Sequence, residues 1–270
     1  MHYGIEVVPF GEFSDPRPIV QMAQAAEAAG WEGLWTRDPV LMPYGAGDPW
    51  ITLATAAATT QTIKLCTGVS PLPRYPPHLL ARTLNGLDLL SAGRVIFATC
   101  LGIASDFAPF GEPGEERRRA AMLDEGLDLL KEYLSGEETT HHGKHYTAEA
   151  VRLLPAPLQK PRLPVWIGGD SRAALRRAAR WDGWIIGTVD ENSRVVKTPE
   201  QLAAQVAYIH QKRNSDSTFD VAVDGVTKAG EGSLPREYEQ AEATGRFECL
   251  HLLRGTFEEL LQRIAASPPG

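Results

Sequence analysis

Short apolar runs recur in this sequence about every thirty residues, beginning near residues 3, 33, 63 and 94, with helix-period stretches between them. That interval is the size of one strand, one helix and their connections, roughly thirty residues. The chain therefore reads as a repeating β-α unit. Strands are expected at 3–9, 33–37, 63–69, 94–100, 164–168, 182–187, 219–227 and 247–253. Helices are expected at 16–29, 50–60, 77–90, 115–134, 171–180, 199–213, 235–243 and 256–266. The first helix carries the usual signals. Asp15 is a candidate cap, Pro16 opens the first turn, Ile19, Met22, Ala23 and Ala26 form an apolar stripe, and Gly30 stops it.

Strict alternation, strands that are apolar throughout and a length of 270 residues favour a closed (β/α)8 TIM barrel over an open doubly wound sheet. No G-x-G-x-x-G follows the first strand, which weakens the dinucleotide fold further. One domain is expected over 1–270. Its irregular piece is 101–163, where the charged helix 115–134 and a hairpin within 139–157, turning at Gly143, form an excursion between the fourth and fifth strands. A hydrophobic fraction of 43% and dispersed glycine and proline exclude disorder and fibrous repeats. The longest apolar stretches, such as 95–99 and 184–187, are too short to cross a bilayer, and a strand-like run begins at residue 3, so a cytoplasmic chain is expected. The net charge of −7 argues against nucleic acid and acidic membranes as partners. Three scattered cysteines, Cys66, Cys100 and Cys249, suit neither a disulfide framework nor a zinc site.

In such a barrel the active site lies at the carboxyl ends of the strands. The residues there are Arg37 and Asp38, Gly68 to Ser70, Cys100 to Gly102, Gly168 to Ser171, Thr188 to Asp190, and Arg254. Gly168-Gly169-Asp170-Ser171 has two readings of equal weight. It is a phosphate cradle, since glycines let backbone approach an anion that a helix N-terminus favours, or a tight turn with Asp170 or Ser171 as helix cap. Cys100 suits a core or pocket-wall role better than a nucleophile, because no histidine base stands at a strand end. Arg37 and Asp38 either bind a polar substrate or pair with each other. His141, His142 and His145 lack a suitably spaced carboxylate or cysteine, so no metal is expected. Arg172, Arg176 and Arg180 read as a solvated outer helix face. Trp166 and Trp184 fit barrel packing, with stacking on a flat ligand as the other role.

Three ordered blocks resemble the bacterial luciferase-like superfamily of flavin- and deazaflavin-dependent oxidoreductases, over at least residues 3–187. The clearest is Leu87-Asp88-Leu89-Leu90-Ser91-Ala92-Gly93-Arg94. The second runs from Asp106-Phe107-Ala108-Pro109-Phe110-Gly111 through Leu123-Asp124-Glu125 to Gly143-Lys144-His145-Tyr146. The third is Pro155-Ala156-Pro157-Leu158-Gln159-Lys160-Pro161 with Pro164-Val165-Trp166-Ile167-Gly168-Gly169 and, later, Asp182-Gly183. The resemblance implies a flavin- or deazaflavin-dependent oxidoreductase, monooxygenase or reductase, acting on a small organic substrate. It implies FMN or the deazaflavin coenzyme F-420, with the ring over the strand ends and the phosphate at Gly168, Gly169, Asp170 and Ser171. A non-proline cis peptide would map to Gly68-Val69, beside Thr67, and Cys100 and Gly102 would lie near the reactive edge of the ring. A flavin reductase or dehydrogenase supplying reduced cofactor and a homodimer are further implications. Two departures stand out. The family's histidine after the second strand is replaced in Asp38-Pro39, leaving Asp38, Tyr44 or water to handle protons, and Leu101 stands where luciferase has an arginine. The alternatives are a non-catalytic flavin-binding relative and a phosphate-binding barrel isomerase or lyase.

Overall fold

The structure is a computed structural model that describes residues 1–42, 45–227, 233–249 and 256–268. Eight parallel strands close a barrel: β1 (His2–Val7), β2 (Gly33–Thr36), β3 (Lys64–Thr67), β4 (Val95–Cys100), β5 (Val165–Gly168), β6 (Gly183–Ile186), β7 (Asp220–Gly225) and β8 (Gly245–Cys249). Each pairs with its neighbours in sequence, β8 returns to β1 through His2↔Gly245 to Glu6↔Cys249, and β3 meets β4 at Leu65↔Val95 and Cys66↔Ile96. Beyond β3 the chain rejoins β4 through a bridge of two residues, Ser70–Pro71. The helices are α1 (Arg17–Ala28), α2 (Pro49–Thr59), α3 (Pro77–Leu90), α4 (Glu116–Ser135), α5 (Arg172–Ala178), α6 (Pro199–Lys212), α7 (Ser233–Gln240) and α8 (Phe257–Ala265).

Alternate strand residues face opposite ways. Ile5, Leu34, Leu65, Phe97, Ile167, Trp184, Val221 and Val223 look outward into the main core beneath the helices. The inward residues stack in layers along the axis. Trp35, Cys66, Ala98, Trp166, Ile185, Ala222 and Phe247 form one compact interior cluster. Glu6, Arg37, Cys100, Asp224 and Cys249 hold the next inward positions, toward the carboxyl ends of the strands.

The block ending in Arg94 is a structural clamp. Asp88 accepts hydrogen bonds from the Leu158 and Gln159 amides (2.7 and 3.1 Å) and from Gln159 Nε2 (2.7 Å), tying the end of the excursion to α3. Arg94, itself buried, donates to the carbonyls of Ser91, Ile63, Ala57 and Thr60 and to the Thr60 hydroxyl. In the excursion, strands Thr139–His142 and Thr147–Val151 form an antiparallel hairpin. Glu125 of α4 accepts from the amides of Lys144, His145 and Tyr146 and lies 3.3 Å from His141 Nε2. The histidine-rich turn is thus held as a hairpin anchor. On α5 it is Arg177, buried against Asp124 of α4, that makes the inter-helix tie, while Arg180 pairs with Asp128 at the surface.

Element boundaries differ from expectation where a local pattern misleads. The last strand begins at Gly245, two residues early, because Arg246 interrupts the apolar run in sequence but pairs with Glu248 at 3.0 Å; residues 250–253 lie outside the described residues. Helix α1 begins at Arg17 with Pro16 as cap residue, and Asp15 instead accepts from the Arg17 amide at 2.9 Å. Among the described residues no helix is long and apolar enough to cross a membrane.

Candidate active site

The floor of the barrel mouth is charged. Glu6 of β1 and Asp224 of β7 are buried there, and Arg37, just past β2, bridges them, its Nε donating to Glu6 and its second guanidinium nitrogen to Asp224 Oδ2 at 3.1 Å. The Thr188 amide donates to Asp224 Oδ1 at 2.7 Å. One guanidinium faces two carboxylates, and two like charges this close cannot both ionise freely. Burial first, and Glu6 second, push the Asp224 carboxyl up to about 7, against the opposing pull of Arg37. Cys249 completes the group: ligand atoms of Glu6, Asp224 and Cys249 lie within 4.8 Å of one another. Arg37 already supplies the positive charge that a cation would bring to these groups. Gly187 lies against this acid, and a methyl added there would stand 3.4 Å from both Asp224 oxygens.

Arg37 and Asp38 do not pair with each other. Adjacent residues leave a strand on opposite sides, so Arg37 turns into the barrel while Asp38 turns toward the loop after β3. There Tyr75 Oη donates to Asp38 Oδ2 at 2.7 Å, and Arg74 lies 3.6 Å from Asp38 Oδ1 and 3.4 Å from Asp106. Burial raises the Asp38 carboxyl, and Tyr75 and Arg74 act against that rise. The Tyr75 phenol is raised by burial and by Asp38, so it stays protonated and remains the donor.

Above the floor lies an apolar shelf. The Gly68-Val69 peptide is cis, with Gly68 at φ +88°. The Val69 side chain reaches across to β5, where a methyl added to Gly168 would fall 2.6 Å from Val69 Cγ1. Cys100 borders the shelf; its sulfur lies 3.8 Å from the Val69 carbonyl and accepts from the Gly102 amide at 3.3 Å. Burial pushes this thiol up to about 11, which suits a pocket wall and not a thiolate. Gly102 is needed as glycine: it sits at φ +71°, and a methyl would stand 2.5 Å from the Phe107 ring. Thr67 faces the wall, its hydroxyl bridging the Ala98 amide and carbonyl at 3.0 Å each.

In the turn after β5 the helix-cap reading is met. Ser171 caps α5, its hydroxyl accepting from the Ala174 amide at 3.2 Å. Gly169 takes φ +102°, and its carbonyl accepts from Trp184 Nε1 at 2.7 Å. The Asp170 carboxylate is drawn to Lys197 at 3.3 Å. Neither Trp166 nor Trp184 reaches the mouth: the first lies in the interior cluster and the second is buried outside the barrel wall. Exposed apolar residues gather on the loops at this end: Val40 and Leu41 after β2, Ile103 and Phe110 after β4, Val195 and Val196 after β6. Tyr44 and Arg254 lie outside the described residues.

The strand-end list contained Arg37 but missed Glu6 and Asp224. For Glu6 the available signal was a single acid within an otherwise apolar run; for Asp224 it was an acid four residues after Asp220, on the same inward face of its strand.

Against known proteins, the sequence profile of the luciferase-like monooxygenases matches residues 4–233. An F420-dependent hydroxymycolic acid dehydrogenase of Mycobacterium tuberculosis is 31% identical over 212 residues, covering 76% of this chain and 58% of that one. Among solved structures, the monooxygenase RslO1 from Streptomyces bottropensis superposes with a TM-score of 0.71 at 21% identity, covering 98% of this chain and 82% of that one. The oxygenating constituent of 3,6-diketocamphane monooxygenase from Pseudomonas putida, solved with FMN, gives 0.70 at 17% identity, covering 84% and 67%.

Proposed function

This chain belongs to the luciferase-like monooxygenase family, and from that membership we propose that it is an oxidoreductase that uses FMN or a deazaflavin coenzyme on a small apolar substrate. The observation that carries the reading is the mouth itself: an apolar shelf of Val69 seated on Gly168, with the Glu6–Arg37–Asp224 group below it. Such a surface fits one face of a flat, partly polar ring. The glycine turn fits a phosphate, because Asp170 is drawn to Lys197 and Gly169 keeps the backbone bare. When bound, the cofactor supplies hydride transfer and, for a flavin, oxygen activation.

The protein's own work is to hold, exclude and protonate. Val69, Cys100 and Gly102 form the shelf, and Gly168, Gly169 and Ser171 hold the phosphate end. The apolar rim of Leu41, Ile103, Phe110 and Val196 selects a substrate of low polarity and displaces water from the mouth. Proton handling in the absence of the family histidine falls to Asp224, whose carboxyl is pushed up to about 7 by burial and by the neighbouring Glu6. Asp38, held by Tyr75, serves as a second acid at the β2–β3 side of the mouth. A separate reductase or dehydrogenase supplies reduced cofactor, and exposed Ile51 on α2 with Leu79 on α3 offers an apolar surface for a homodimer.

Separate absorption titrations with FMN and the deazaflavin coenzyme test the proposal. Saturable perturbation by one of them is expected, and it should be lost in Gly169→Glu while far-ultraviolet circular dichroism is kept. No perturbation by either cofactor would refute the redox reading.

A further inference from the structure

At the end of the barrel opposite the mouth, the strand beginnings surround a cavity of about 490 Å³. This volume falls within the range of roughly 300–1,000 Å³ that small-molecule sites occupy. Bulky branched side chains normally fill the inward layers of such barrels, but here Gly4, Gly33, Gly183 and Gly245 hold lowest-layer positions. Three of them make room for rings. A methyl on Gly4 or Gly33 would come within 2.5 or 3.1 Å of Phe247, and one on Gly183 within 2.4 Å of Trp166. The two aromatic side chains therefore lie against bare backbone and leave the axis beneath them empty. Gly245 has no such neighbour, its added methyl meeting nothing nearer than the His2 carbonyl at 3.9 Å.

The ceiling of this cup is aromatic, with the Trp166 and Phe247 ring centroids 6.5 Å apart, and Ile96 lies beside them. Three acidic residues, Glu27, Glu32 and Asp220, line it. Half-buried Asp220 accepts from Trp166 Nε1 at 3.2 Å. Burial raises the Asp220 carboxyl, the Trp166 N–H and His2 oppose the rise, and Asp182 adds to it, so the carboxylate gains from a positive partner. Other charges around the cup are matched or solvated. His2 pairs with Glu32 at 2.6 Å, Arg246 with Glu248 at 3.0 Å, and Asp182 with Arg162. Glu27 is held by the amides of Gln61, Thr62 and Ile63, and Lys64 is exposed at the rim.

We propose that this cup is a second ligand site, distinct from the mouth, that takes a small aromatic amine, its ring beneath Trp166 and Phe247 and its ammonium on Asp220. Aromatic faces and the Asp220 carboxylate together favour a cation with an apolar body over a neutral or anionic isostere. The interior cluster that includes Trp35, Trp166 and Phe247 separates the cup from the acids of the mouth.

Calorimetric titration with benzylamine, benzyl alcohol and benzoate tests this, with the Trp166 indole proton followed by NMR. Saturable 1:1 binding of benzylamine is expected, weakened about tenfold or more by Asp220→Asn. Gly245→Leu fills the open space, so it should abolish binding while raising the thermal midpoint. Benzylamine failing to bind at millimolar concentration, benzoate binding equally well, or Gly245→Leu retaining both fold and binding would each overturn the proposal.

Discussion

Replacing Gly168 by alanine tests whether Val69 is held against β5. The added methyl would stand 2.6 Å from Val69 Cγ1, 3.3 Å from Cγ2 and 3.4 Å from Cβ. Carbon atoms rest at about 3.5–4.0 Å, so Val69 must retreat by about 1 Å toward the mouth. Overpacking of this kind costs about 1–3 kcal/mol. The loss of glycine's freedom in the unfolded chain offsets about 0.4–1 kcal/mol of that, leaving a net destabilisation of about 1–2 kcal/mol. At roughly 2–4 °C per kcal/mol for a chain somewhat smaller than this one, the midpoint should fall by a few degrees. The cofactor titration should weaken in parallel, because the shelf is displaced. The decisive assay is a double-mutant cycle on urea stability with Val69→Ala. Removing the valine methyls relieves the clash, so Gly168→Ala should cost less in the Val69→Ala background by about 1 kcal/mol or more. Additive effects within about 0.5 kcal/mol would show that the two residues do not meet, and the shelf would be wrong.

Arg94→Met should destabilise by about 3–5 kcal/mol in urea unfolding, because it strips the donors from the Ala57, Thr60 and Ile63 carbonyls; a cost under about 1 kcal/mol would refute the clamp. Glu27 carries an opposite pH signature to Asp224. Burial opposes its ionisation, but the amides of Thr62, Ile63 and Gln61 outweigh this and lower its pKa. Its contribution is therefore full above the unfolded value of about 4.3 and lost as pH falls through the lower folded value, and Glu27→Gln should flatten the acid limb of stability against pH. The Asp224 carboxyl is instead raised to about 7. Native protein then binds more protons than the unfolded chain between about pH 4 and 7, and stability falls as pH rises through that window. Asp224→Asn should gain on the wild type over the same window, and an unchanged difference would argue against the raised Asp224 carboxyl. Tyr75→Phe should raise the Asp38 pKa further, followed by carboxyl NMR, since it removes the donor at 2.7 Å.

The β-α order, the barrel class and the excursion after the fourth strand were legible in sequence, because each depends on periodicity and on short-range signals such as Gly30, Pro77 and Gly143. The cap at Ser171 fell where local sequence pointed, and the cis peptide at Gly68-Val69 where the family resemblance placed it. What sequence could not supply was the meaning of single charges. Arg37-Asp38 looked like a pair, yet opposite strand faces send one to Glu6 and Asp224 and the other to Tyr75 and Arg74. Arg246 looked like the edge of a strand, but Glu248 two residues on neutralises it within the strand. Four glycines in strand positions gave no sign that they make room for Phe247 and Trp166 or border a cavity. Periodicity records which side of its own strand a residue faces. Which residues then meet across the barrel depends on closure and register, and those join Glu6 to Asp224 over more than two hundred positions of chain.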